Sequence, residues 1–120
     1  MNKERILQLA DVIERTPHRR RYKPTSQWRK LNGFNMSSWH CGTTGCIAGW
    51  AHHLFGGGKE TAFTDDIQYD AQELLDLPFE IADDLFVPGG GYLRDIKPAK
   101  AAAVLRHLAE TGKVNWSITP

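Results

Sequence analysis

The chain has 120 residues, 41% hydrophobic and 24% charged, with a formal net charge of +1 at pH 7. A chain of that length buries one core and not a second, and its composition excludes intrinsic disorder, collagen and long coiled coil. Residues 1–120 therefore read as one domain. No apolar run approaches the roughly 20 residues of a membrane helix, and Met1 to Ile6 is polar and charged, so neither a membrane span nor a secretory signal is expected. The expected setting is cytoplasmic, where the two cysteines are expected as thiols rather than a structural disulfide.

The expected elements are mainly helical. Asn2 suits the cap of a first helix from Lys3 to Arg15, in which Ile6, Leu9, Ala10 and Ile13 follow the i, i+3, i+4, i+7 spacing of one apolar stripe. Pro17 ends it, since it lacks an N–H and disfavours helix before it. A basic stretch from Pro17 to Asn35 follows without clear elements, and Phe34, Met36 and Trp39 hint at a short strand. A second helix is expected from Thr44 to Phe55, stopped by Gly56-Gly57-Gly58, with Ile47, Ala51 and Leu54 facing the core and Trp50 beside them. Acidic helical segments run over Tyr69–Leu77 and Pro78–Phe86, where Pro78 suits a first helical position. After Gly89-Gly90-Gly91, a final helix from Pro98 to Thr111 buries Ala101, Val104, Leu105 and Leu108 and stops at Gly112. The expected fold is a small, compact, mainly α domain of about five helices with long loops and one short β-hairpin.

The near-zero net charge hides a polarised chain. Between Arg15 and Lys59 there is no Asp or Glu, whereas from Glu60 to Asp95 ten acids face the single Arg94. Such asymmetry suits either a basic surface that meets an anion or two halves that attract each other within the fold. A duplex nucleic-acid binder carries a larger net positive charge, so duplex binding is not expected.

The most informative stretch is Trp39-His40-Cys41-Gly42-Thr43-Thr44-Gly45-Cys46-Ile47-Ala48-Gly49-Trp50. Two glycines and two threonines before a helix make a turn whose N–H groups have no intrahelical partner and where the helix dipole favours an anion. The same residues also serve as an ordinary capped helix start, and no Gly-Lys-Ser/Thr follows to make a Walker loop. Read as a nucleophile, Cys41 or Cys46 lies where a helix N-terminus lowers thiol pKa, and the Cys-Gly opening resembles part of the catalytic region of bacteriocin-processing cysteine peptidases. His107 is the distant histidine available to such a site, with no His-x-x-Asp pairing around it. As metal ligands, His40, Cys41, Cys46, His52 and His53 lack the usual zinc spacing; Cys46 and His53 are about 10 Å apart along the helix axis, too far for one zinc. No metal or cofactor is expected. Trp28 lies among Arg19, Arg20, Arg21, Lys23, Arg29 and Lys30, where stacking and charge suit a nucleotide, or where a tryptophan pins a loop.

Met1 to Glu14, Phe34-Asn35-Met36, Cys41-Gly42-Thr43-x-x-Cys46-Ile47-Ala48-Gly49-Trp50-Ala51, Leu75 to Pro78, Leu85-Phe86 and Ala101 to Leu108 together resemble a group of small phage and prophage proteins. Lys97 stands before Pro98 where that group leads one to expect a Thr or Ser cap. The resemblance implies a phage setting, in the host cell cytoplasm, and no particular chemistry. It is compatible with an anti-defence role. The expected function is a non-catalytic accessory protein that binds an anionic, nucleotide-like small molecule and sequesters a host defence signal. In that reading Gly42, Thr43, Thr44 and Gly45 hold phosphate, Arg19, Arg20 and Arg21 neutralise it, and Trp28 stacks on a base. The alternatives are an inhibitor of a host defence protein acting through the acidic Asp65 to Asp84 face, and a hydrolase using Cys41. A homo-oligomer is compatible with each.

Overall fold

The computed structural model describes residues 1–21, 28–56, 64–89 and 92–118. Helix α1, Lys3–Glu14, starts on its expected cap, with Asn2 Oδ1 accepting from the Arg5 N–H at 3.1 Å. Its apolar stripe Ile6, Leu9, Ala10 and Ile13 is wholly buried. Most of that face meets α5, Pro98–Thr111, the most extensive helix–helix contact in the molecule. Ala101, Val104, Leu105 and Leu108 supply the opposing surface. Pro98 opens α5 from Lys97, which makes no side-chain cap bond, and Gly112 closes it. Across the outside of this pair Arg106 reaches Glu14 at 2.6 Å and Asp11 at 2.9 Å. Hydrogen bonding from Arg106, with its charge second, holds the Glu14 carboxyl below its ordinary pKa.

Helices α2 (Ile47–Phe55), α3 (Thr64–Leu74) and α4 (Phe79–Phe86) complete the helical set, with Pro78 as the N-cap of α4 rather than its first residue. Helix α2 begins later than the sequence suggests, because the residues ahead of it are a strand. Its buried face also differs: His52 is buried and Leu54 is exposed. His52 lies 3.5 Å from the Asp70 carboxylate of α3, so its polar ring is accommodated inside, while Leu54 points between α1 and α2. The buried side chains of all five helices merge into one core with Leu31, Phe34 and Met36. Trp50 enters it and donates its indole N–H to the Gly33 carbonyl at 3.0 Å. The domain is thus mainly α, and no helix among the described residues is long and apolar enough to cross a membrane.

One strand of the β element lies inside the basic stretch that the sequence leaves without clear elements, and the other lies in the segment expected as a turn before the second helix. Strand β1, Trp28–Phe34, and strand β2, His40–Gly45, form a two-stranded sheet. They pair in parallel, Gly33 opposite Thr44 and Phe34 opposite Gly45, so the link between them is a tight crossover and not a hairpin turn. Asn35 makes that crossover. Its buried Oδ1 accepts from the Ser37 N–H at 2.8 Å and the Ser37 hydroxyl at 2.6 Å, and its own N–H donates to the Gly45 carbonyl at 3.1 Å.

Candidate anion-binding site

The segment after α1 meets the end of β1 through an isolated parallel bridge, His18 opposite Phe34. Phe34 donates to the Pro17 carbonyl and the Arg19 N–H donates to the Phe34 carbonyl, both at 2.9 Å. The Asn35 amide ties the same segment from inside, donating to the carbonyls of Arg19 at 2.7 Å and Arg20 at 3.3 Å. The Arg19 stem lies so close over Gly33 that a Cβ there would stand 2.4 Å from Arg19 Cγ, so only glycine permits this approach. Arg19, Arg20 and Arg21 are all exposed.

A single 3-10 turn, Leu93–Asp95, brings a fourth arginine to these three. His18 Nε2 lies 2.9 Å from the Arg94 carbonyl and pins that turn against the segment. The result is a hollow of about 260 Å³ lined, among the described residues, by Arg20, Arg21 and Arg94. Arg20 is paired with the Asp95 carboxylate, whereas among the described residues neither Arg21 nor Arg94 has a carboxylate partner. Arg94 stacks over the Tyr92 ring, 5.5 Å from its centroid, and that ring is 73% exposed. Guanidinium groups are planar, weakly hydrated and matched to the oxygens of phosphate, so the chemistry gathered here is that of a candidate anion site beside an exposed aromatic ring.

The expected phosphate turn is not found where the sequence placed it. Residues 40–45 are β2, and strand geometry replaces the open loop ahead of α2. Thr44 is 3% exposed and Gly45 is buried so tightly that an added Cβ would lie 2.9 Å from Leu31 Cδ1. Cys46, the N-cap of α2, is 1% exposed, and Ile47 and Ala48 are buried behind it. The N-terminus of this helix therefore faces the core, where an incoming anion does not reach. Thr43 is partly exposed on the strand. Gly42 pairs with Trp28 in the sheet register. The side chains of Trp28 and Cys41 lie outside the described residues, as do those of Asp65 and Asp66 of the acidic segment.

Of the residues expected to bind, the structure thus brings Arg20 and Arg21 to a common hollow, places Arg19 beside it, and separates Thr44 and Gly45 from it by burial. Sequence reasoning missed Arg94 and Tyr92. The signal was present: Arg94 is the one base among ten acids, and it follows a run of three glycines in the sequence. As a nucleophile, Cys46 is sealed in the core. Among the described residues, no three His, Cys, Asp or Glu side chains stand close enough to hold a metal ion. No protein-family model, curated protein or solved structure matches the chain.

Proposed function

We propose that the protein is a non-catalytic binder of an anionic, nucleotide-like small molecule, and that the arginine hollow is its site. The observation that carries this reading is the convergence of Arg20, Arg21 and Arg94 on one hollow where, among the described residues, only Arg20 meets a carboxylate. Like charges gathered in excess of the described counter-charge cost free energy in the empty protein, and a bound polyanion offsets that cost. At about 260 Å³ the hollow is smaller than a whole drug-sized ligand needs, so it takes the phosphate end and leaves a base to lie against Tyr92. The likeness to small phage proteins supplies the wider setting, in which such binding withholds a host nucleotide signal in the cytoplasm.

Titration calorimetry with adenosine monophosphate and with pyrophosphate tests the reading. Both bind the wild-type protein, and Arg94→Ala weakens both about tenfold or more, the ordinary worth of one charge-assisted contact. Failure of the wild-type protein to bind either compound, or unchanged affinity in a folded Arg94→Ala variant, overturns it.

A second reading, inhibition of a host protein through the acidic helices, is favoured by one observation. Phe79, 61% exposed, opens α4 directly before Glu80, and Asp84 on the same helix is exposed. An exposed apolar residue at the start of an acidic helix suits a basic partner surface. Under this reading Asp83→Lys with Asp84→Lys abolishes partner capture and leaves nucleotide affinity unchanged.

A further inference from the structure

We infer that Asp95 is a built-in competitor for the anion, occupying on Arg20 the place that a ligand's phosphate takes. This rests on the arginine hollow being an anion site. Three observations lead to it. The Asp95 carboxylate meets the guanidinium of Arg20, which lines the hollow with Arg21 and Arg94, so it stands at the hollow's edge. Both partners are open to solvent, with side-chain exposures of 61% for Arg20 and 45% for Asp95, and an exposed ion pair of this kind is weak enough for a multiply charged anion to displace. The backbone that carries Asp95 is fixed independently of this pair. The Asp95 N–H donates to the Tyr92 carbonyl at 3.0 Å, and His18 holds the neighbouring Arg94 carbonyl at 2.9 Å.

Displacement therefore needs only rotation of one aspartate side chain, and the turn carrying Arg94 stays in place. In the empty protein Asp95 offsets one of three crowded positive charges. When a phosphate arrives, that same carboxylate repels it and must release Arg20. Asp95 thus sets affinity by charge: the more negative the ligand, the more its presence costs.

The test compares two probes with the same base and sugar. Adenosine monophosphate carries nearly two negative charges at about pH 7.5, and its 3′,5′-cyclic form carries one. Asp95→Asn keeps the shape and removes the charge. The expected result is about tenfold tighter binding of the monophosphate and about threefold tighter binding of the cyclic form, because the gain scales with ligand charge. Asp95→Glu retains near wild-type affinities. Asp84→Asn, on α4, changes neither, which separates a local effect from a change in net charge. If the wild-type protein binds the monophosphate and Asp95→Asn leaves that affinity unchanged, the role of Asp95 is wrong while the site stands. Equal gains for both probes, or an equal gain from Asp84→Asn, likewise refute local charge competition. Absence of binding in wild-type and variant alike removes the site and this inference together.

Discussion

Asn35 is where the fold and the candidate site meet, and Asn35→Ala is the perturbation that tests the connection. The residue is fully buried, and its side chain makes four hydrogen bonds, two donated to the carbonyls of Arg19 and Arg20 and two accepted from Ser37. The 3.3 Å bond to Arg20 is the weakest. Ser37 is exposed and recovers water, so its share of the loss is small. Counting about 1 kcal/mol for each well-formed bond, with an added cost for the Arg19 carbonyl left under-satisfied, gives a loss of about 3 kcal/mol. For a domain of this size that lowers Tm by roughly 10 °C. Urea denaturation followed by circular dichroism measures the first quantity and a thermal melt the second. Nucleotide affinity falls as well, because the segment bearing Arg20 and Arg21 loses its inner tether. Asn35→Asp sharpens the test. A carboxylate facing two carbonyls is repelled, and burial raises its pKa in the folded state. Such a group stabilises below its unfolded pKa of about 3.9 and loses that contribution as pH rises through the higher folded value, so this variant is more stable near pH 4 relative to wild type than near pH 7. A stability loss under about 1 kcal/mol for Asn35→Ala, with unchanged affinity, refutes the reasoning.

Two further outcomes follow from the α1–α5 pair. Leu105→Ala, in the fully buried seam, costs about 2–5 kcal/mol and leaves nucleotide affinity of the folded fraction unchanged, as denaturant melts and calorimetry read out. Because Arg106 lowers the Glu14 pKa, the folded state gains from ionised Glu14 above the unfolded pKa of about 4.3 and loses that gain as pH falls through the lower folded value. Melts of Arg106→Met across that acid range therefore show a shallower pH dependence than wild type, and an identical slope refutes the pair's role.

The helices were largely legible in the sequence because their signals are local. Asn2 with the stripe from Ile6 to Ile13, and Pro98 with Gly112, mark start, face and end within the helix itself, and α1 and α5 stand nearly where those residues put them. The segment before α2 was misread for the same reason. Two glycines and two threonines specify an open turn when no neighbour is considered, but β1 lies alongside, and its Leu31 packs against Gly45 and closes the space an anion would use. His52 and Leu54 exchanged expected places because Asp70, from another helix, makes a buried imidazole acceptable.

By itself, then, the chain determined the bounds and apolar faces of α1 and α5, the presence though not the bounds of α2 and α3, and that its charges are divided between two regions. Only the tertiary structure decided where those charges meet. Arg94 is separated from Arg20 by most of the chain, and they share a hollow because a 3-10 turn is pinned by His18 to a segment that Asn35 holds against the sheet. Juxtaposition over that separation follows from packing and hydrogen bonds between distant elements, which no local pattern encodes.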